Sequence, residues 1–171
     1  NYNYPAMKNL VLTLIIALTV TTAFAQRVTP FQGSDKRFGF KDSTGNEIIA
    51  AKYDEAYPFS ESLAVVGVKG KYGFIDDTGN EIIPLTYEGV GNFSEGLAAV
   101  KLKGKWGYID KAGKKVIPPE LEYEIVYIFS SGLAKVYANY KYGFIDKTGK
   151  EVIPVKYDDA HNFSPESEGL T

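Results

Sequence analysis

Lys105 to Ile117 reads KWGYIDKAGKKVI, and three other stretches echo it: Lys71 to Ile83 (KYGFIDDTGNEII), Lys141 to Ile153 (KYGFIDKTGKEVI) and, more loosely, Arg37 to Ile49 (RFGFKDSTGNEII). A second phrase, F-S-x-x-L-A-x-V, follows the first three copies, and Phe163-Ser164 begins it again after the fourth. Aligned on Gly39, Gly73, Gly107 and Gly143, the copies are spaced by 34, 34 and 36 residues. The two extra residues fall between Ile117 and Gly132, and an insertion confined to one place marks a loop. A period in this range is the signature of a stacked repeat, because one short unit cannot bury its own apolar face.

Each unit reads as three strands. The first carries aromatic and β-branched residues, as in Trp106-Gly107-Tyr108-Ile109, which suit a pleated, half-buried surface. The turn that follows opens on Asp42, Asp76, Asp110 or Asp146 and closes on Gly45, Gly79, Gly113 or Gly149. Aspartate accepts backbone N–H bonds at the start of such a turn, and glycine takes the positive φ at its end. The second strand (Glu81-Ile82-Ile83 and its equivalents) is expected to stop at Pro84, Pro118 and Pro154, since proline removes a ladder donor. The connecting segment carries Tyr53, Tyr87, Tyr123 and Tyr157, then Phe59, Phe93, Phe129 and Phe163. It lacks alternation and reads as a loop with at most one helical turn. The third strand alternates, with Ala98, Val100 and Leu102 on one face. Lys69-Gly70, Lys103-Gly104 and Asn139-Tyr140 turn the chain back into the next unit.

The expected fold is therefore all-β, an antiparallel meander of four units of about three short strands. It is either an open, solenoid-like array or a partly closed, propeller-like one. The units are 37–70, 71–104, 105–140 and an incomplete 141–171, with a leading strand or cap over 26–36. Phe74, Trp106, Tyr108, Phe144, Phe59, Phe93, Phe129 and Phe163 are assigned to the repeat core, and the glycine beside each strand aromatic to a close approach by a neighbouring ring or backbone.

The pattern K-[WY]-G-[FY]-I-D-x-x-G-x-x-[VI]-I-P, with F-S-x-G-L-A-x-V downstream, resembles the WG repeat family of bacteria. The likeness covers Arg37 to Leu170; only Trp106-Gly107 spells the literal pair, and Lys41 replaces the strand isoleucine in the first unit. The resemblance implies an all-β repeat module, often of undefined biochemical role and associated with binding. It offers no catalytic residues to carry over.

Ahead of the repeats, Met7-Lys8, the apolar run Leu10 to Val20 and Ala23-Phe24-Ala25 have the three parts of a secretory signal peptide. The run is shorter than the about 20 apolar residues of a membrane span. Cleavage is expected after Ala25, with Asn1 to Ala6 upstream of the start; the alternative is an uncleaved anchor or a buried apolar helix. The expected location is thus outside the cytoplasm: periplasm, cell surface or medium. Formal charge is −2; residues 1–25 hold one Lys and no acid, which leaves −3 on the rest. The charges are interleaved, and nucleic-acid binding needs a basic stripe that the chain lacks. Without cysteine, disulfides, thiolate zinc sites and thiol catalysis are excluded.

Asp77-Thr78-Gly79 and Lys147-Thr148-Gly149 spell fragments of protease and β-lactamase motifs, but both occupy the repeat turn. The Asp-x-x-Gly turns offer too few oxygens for calcium, which takes six to eight. His161, the sole histidine, lies near Asp158, Asp159 and Ser164 without a nucleophile-elbow motif. No catalytic residue, metal or cofactor is expected. Tyr57, Tyr127, Tyr137 and Tyr140 fall off the repeat pattern. They are the candidate surface for an unidentified protein or envelope component, or for a glycan.

Overall fold

The computed structural model describes residues 28–161. The leader reading, Phe163 and Ser164 fall outside the described residues. Those described residues form four antiparallel sheets and no helix. Sheet I holds β1 (Thr29–Gln32), β2 (Phe38–Lys41) and β3 (Glu47–Tyr53). Sheet II holds β4 (Glu55–Ala56), β5 (Ala64–Val68), β6 (Lys71–Ile75) and β7 (Glu81–Tyr87). Sheet III holds β8 (Gly89–Val90), β9 (Leu97–Leu102), β10 (Lys105–Asp110) and β11 (Lys115–Leu121). Sheet IV holds β12 (Ile125–Ser130), β13 (Leu133–Ala138), β14 (Lys141–Asp146) and β15 (Glu151–Tyr157). Spatial order follows chain order in every sheet, and the sheets do not close into a barrel.

Each sheet takes the third strand of one sequence unit and the first two of the next. In sheet I, β1 occupies the place of that third strand and pairs with β2. The connecting segment is not a loop with a helical turn. It supplies a fourth strand, β4, β8 or β12, followed by a two-residue hairpin. Ser60 and Leu63 exchange both backbone bonds, at 2.9 and 3.1 Å, and Ser94 and Leu97 do the same. The residues between them, Glu61-Ser62 and Glu95-Gly96, all have positive φ, the geometry of a type I′ turn.

Proline does not end the second strand either. β7 runs through Pro84 because the ladder bulges there: Tyr72 pairs with Tyr87 and Phe74 with Ile83, so the one residue between on β6 faces three on β7. A residue in a bulge owes no N–H to the partner strand. The bulged backbone folds down onto Gly73, where a Cβ would stand 2.4 Å from the Ile83 carbonyl oxygen. Gly39, Gly107 and Gly143 meet the same obstruction at 2.4 to 2.6 Å. The glycine of the repeated pair is thus required by neighbouring backbone.

The sheets stack face to face. β5 and β9 are buried on both faces. Ala64 and Val66 pack toward Phe40 and Ile49 of sheet I. Val65 packs toward Ala98, Val100 and Ile109 of sheet III. Phe59, Phe93 and Phe129 each set an edge against the strand aromatic of the preceding sheet: Phe40, Phe74 and Tyr108, with centroids 5.1, 4.8 and 4.8 Å apart. Edge-to-face pairs of this kind add about 0.5–1.5 kcal/mol beyond their buried area. The serine after each phenylalanine ties the stack lengthwise. Ser60 Oγ donates to the Phe93 carbonyl and Ser94 Oγ to the Phe129 carbonyl, both at 2.7 Å. Glu61 accepts from Gly96 N–H and pairs with Lys111; Glu95 accepts from Gly132 N–H and pairs with Lys147.

Candidate ligand-binding cleft

A cleft of about 390 Å³ opens between sheets II and III, lined by Tyr57, Val65, Tyr72, Glu88, Gly89, Val90, Gly91, Asn92 and Trp106. The register explains why it lies there. Glu55, Gly89 and Ile125 face Gly67, Lys101 and Tyr137 on the neighbouring strand, so they are equivalent. Two residues on stand Tyr57, Gly91 and Tyr127. Only the unit entering sheet III has glycine at both places. These positions project toward the next sheet along the stack: Glu55 and Tyr57 reach from sheet II toward sheet III, whereas a Cβ at Gly91 would point at Ala99 and Ile128 on the sheet IV side. With no side chain at 89 and 91 the β8 edge is bare backbone, and the benzo edge of Trp106 lies beside Gly89 to border the cleft. Tyr123, read from the sequence as the counterpart of Tyr87, belongs to the insertion, because Leu121 takes the place opposite Trp106 that Tyr87 takes opposite Tyr72; it packs on the core beside Trp106.

Its walls are held in place. Glu55 accepts from the hydroxyls of Tyr72 and Tyr57, at 2.7 and 2.9 Å. That bond to Glu55, with burial behind it, pushes the Tyr72 phenol up to about 12. Trp106 Nε1 donates to the Glu124 carbonyl at 3.2 Å, and its benzo edge lies 3.4 Å from where a Gly89 Cβ would be. Lys101 Nζ stands 5.4 Å from the Trp106 ring centre, within cation–π reach. Glu88 accepts from Lys103 and Gly104 N–H, at 3.2 and 2.9 Å, and lies 4.0 Å from Lys71. The Gly104 N–H bond is the main cause of its lowered pKa.

The four tyrosines singled out from the sequence do not form one surface. Tyr57, 44% exposed, lines the cleft. Tyr127 and Tyr137 lie on sheet IV with Tyr142: Lys135 Nζ is 4.4 Å from the Tyr127 ring centre and 5.3 Å from that of Tyr142, and the Tyr137 and Tyr142 rings are 4.9 Å apart. Tyr140 stands at a hairpin turn with φ of 62°, 85% exposed. Trp106, assigned to the core, is half-buried and borders the cleft, as does Tyr72. Gly89 and Gly91 were not singled out at all. The signal for them is present: EGVGNF at Glu88 to Phe93 stands against DEAYPF and EIVYIF in the neighbouring copies.

The motif fragments do turn chemistry. Asp76 accepts from Thr78 Oγ, Thr78 N–H and Asn80 N–H at 2.7 to 3.0 Å, so Asp77-Thr78-Gly79 belongs to a self-clamped hairpin. The Thr78 hydroxyl is the main cause of an Asp76 pKa of about 2. Thr148 binds Asp146 the same way through its hydroxyl and N–H. His161 is exposed at the end of the described residues and stands where Tyr57, Gly91 and Tyr127 stand in the other copies. Among the described residues no group of three or more His, Asp or Glu is placed to hold a metal ion.

Fold and cleft together define a class: a stack of antiparallel β-repeat sheets with ligand-sized space at one junction. The WG containing repeat model matches four consecutive stretches, 38–72, 72–106, 106–142 and 142–170. The chain belongs to the WG-containing repeat family. No curated protein matches it. No helix among the described residues is long and apolar enough to cross a membrane.

Proposed function

We propose that the chain is an exported, non-catalytic module that binds a component of the cell envelope in the cleft between sheets II and III. The carrying observation is the bare β8 edge at Gly89 and Gly91, against which Tyr57 and Tyr72 of sheet II and Trp106 of sheet III border one cleft. A pocket of a few hundred Å³ with aromatic walls and a few polar groups is the usual form of a binding site. Glu55 and Glu88 serve as braces for phenol hydroxyls and turn N–H groups, roles suited to positioning rather than turnover. Export rests on the Met7 to Ala25 leader pattern.

The test is retention of envelope material by the immobilised full chain and by Tyr57→Ala, which removes an exposed wall of the cleft. Tyr57→Ala is expected to lower retention at least tenfold while leaving the melting temperature nearly unchanged. Equal retention by both proteins would overturn the cleft as the site. Mass analysis of the secreted product is expected to give Gln26 as first residue; a product confined to the cytoplasm would overturn export.

A further inference from the structure

We infer that the cleft takes a neutral, hydroxyl-rich ligand, the ring of a sugar, an inference that rests on the binding reading above. Three aromatic residues supply apolar surface for the C–H face of such a ring, since aromatic side chains join an apolar body to a polar tip. The polar edge is biased toward acceptors. The hydroxyl protons of Tyr57 and Tyr72 are committed to Glu55. Their oxygens are therefore left to accept, and so are the remaining lone pairs of Glu88. Asn92 adds an amide with both functions. A ligand must then bring several donors, as sugar hydroxyls do.

Charge narrows the class further. None of the nine lining residues is a cation and Glu88 is among them, while the two lysines beside the walls are engaged, Lys71 with Glu88 and Lys101 at the Trp106 ring. A phosphate or carboxylate ligand would therefore have to take a lysine from its present partner. A quaternary ammonium would suit aromatic walls in general, but here Lys101 already stands at the Trp106 ring, Glu88 has Lys71, and Glu55 is shared by two phenols. A proline-rich peptide also docks on aromatic grooves. It needs an extended channel, whereas this cleft is walled by residues of sheets II and III alone.

Trp106 is the only tryptophan in the chain, so its fluorescence reports on the cleft alone. The full chain is to be screened on an array of neutral and charged glycans. Trp106 emission is then titrated with the neutral oligosaccharide that scores highest, with choline chloride and with a polyproline peptide. A saturable change is expected with the saccharide only. Calorimetry is expected to show at least tenfold weaker binding for Tyr57→Ala and for Trp106→Phe, a ring the first copy carries at Phe38. Saturation by choline or the peptide would overturn the sugar assignment. So would no saccharide binding while envelope retention still depends on Tyr57; in that case the cleft reading stands. Retention indifferent to Tyr57→Ala fails the cleft reading itself.

Discussion

The junction between sheets II and III and the junction between sheets III and IV are built on one plan and finished differently. Phe93 meets Phe74 and Phe129 meets Tyr108 at the same 4.8 Å, with ring planes at 61° and 62°. A serine tie of 2.7 Å and a glutamate–glycine bond of 3.1 Å join Phe93 and Phe129 and their hairpins in the same way. The rims diverge. At the first, Glu55 and Tyr57 of sheet II face sheet III and Tyr57 borders the cleft; at the second, Gly89 and Gly91 are themselves the facing pair, and the insertion brings Tyr123 onto the core. The insertion also divides a job. Glu88 both faces Lys71 and caps the Lys103-Gly104 turn. After the insertion Glu122 pairs with Lys105, while Glu124 accepts from Asn139 N–H. The stack fixes the core of each junction and leaves its rim free to vary, so a binding site can be made at one junction without disturbing its neighbours.

If the two cores are equivalent, their phenylalanines contribute equally. Phe93 is 2% exposed and Phe129 fully buried. Phe93→Ala and Phe129→Ala should each cost about 3–5 kcal/mol, agreeing within about 1 kcal/mol, in denaturant unfolding of the full chain. A larger gap would show that the open rim loosens the core beneath it.

Gly73→Ala should come next. Its Cβ would meet three backbone atoms of the bulge between 2.4 and 2.8 Å, none of them the end of a flexible side chain. The strand must shift, at about 3 kcal/mol. Gly107→Ala tests the same constraint in sheet III and should cost a similar amount. Gly91→Tyr has the opposite sign. It adds the ring its counterparts carry on the face toward sheet IV, where a Cβ would have Ala99 and Ile128 at 3.5 and 3.9 Å, and should raise stability by about 1 kcal/mol, measured as a higher melting temperature. A loss instead would mean that the second junction has no room for that ring.

The repeat, the hairpin turns and the aromatic core were legible because local rules and the period agree. Gly79 has positive φ as turn chemistry requires, and Phe93 recurs at a spacing that only a core explains. What escaped depended on register. Pro84 reads as a strand stop until Gly73 is seen to carry a bulge over it. Glu61-Ser62 reads as loop because serine masks a type I′ turn that Glu95-Gly96 spells more openly. Trp106 reads as core and does pack against it, but the sequence does not show that the same ring also borders the cleft. The cleft was hidden for a different reason: one of its edges is bare backbone at Gly89 and Gly91, and a missing side chain shows only when the copies are compared position by position.

The smallest expected effect concerns the hairpins that flank the two junctions. In sheet II, Asp76 accepts from the Thr78 hydroxyl and the Asn80 amide as well as from backbone N–H groups. In sheet III, Asp110 accepts from the N–H groups of Ala112 and Lys114, whose side chains offer it no hydroxyl or amide. The Thr78 hydroxyl is the main cause of the fall in the Asp76 pKa from 3.8 to about 2. A carboxylate depressed in the folded state stabilises it above the unfolded pKa, and that contribution is lost as pH falls through the folded value. The sheet II hairpin should therefore begin to loosen as pH drops from about 4 toward 2, seen as a fall in the protection of the Gly79 amide relative to its intrinsic exchange rate at each pH. Thr78→Ala removes the hydroxyl that the sheet III turn lacks and should move the Asp76 carboxyl titration, followed by carbon NMR, upward from about 2 toward 3.8. An unmoved midpoint would show that the hydroxyl does not hold the charge, which would then rest on the Asn80 amide and the backbone N–H groups.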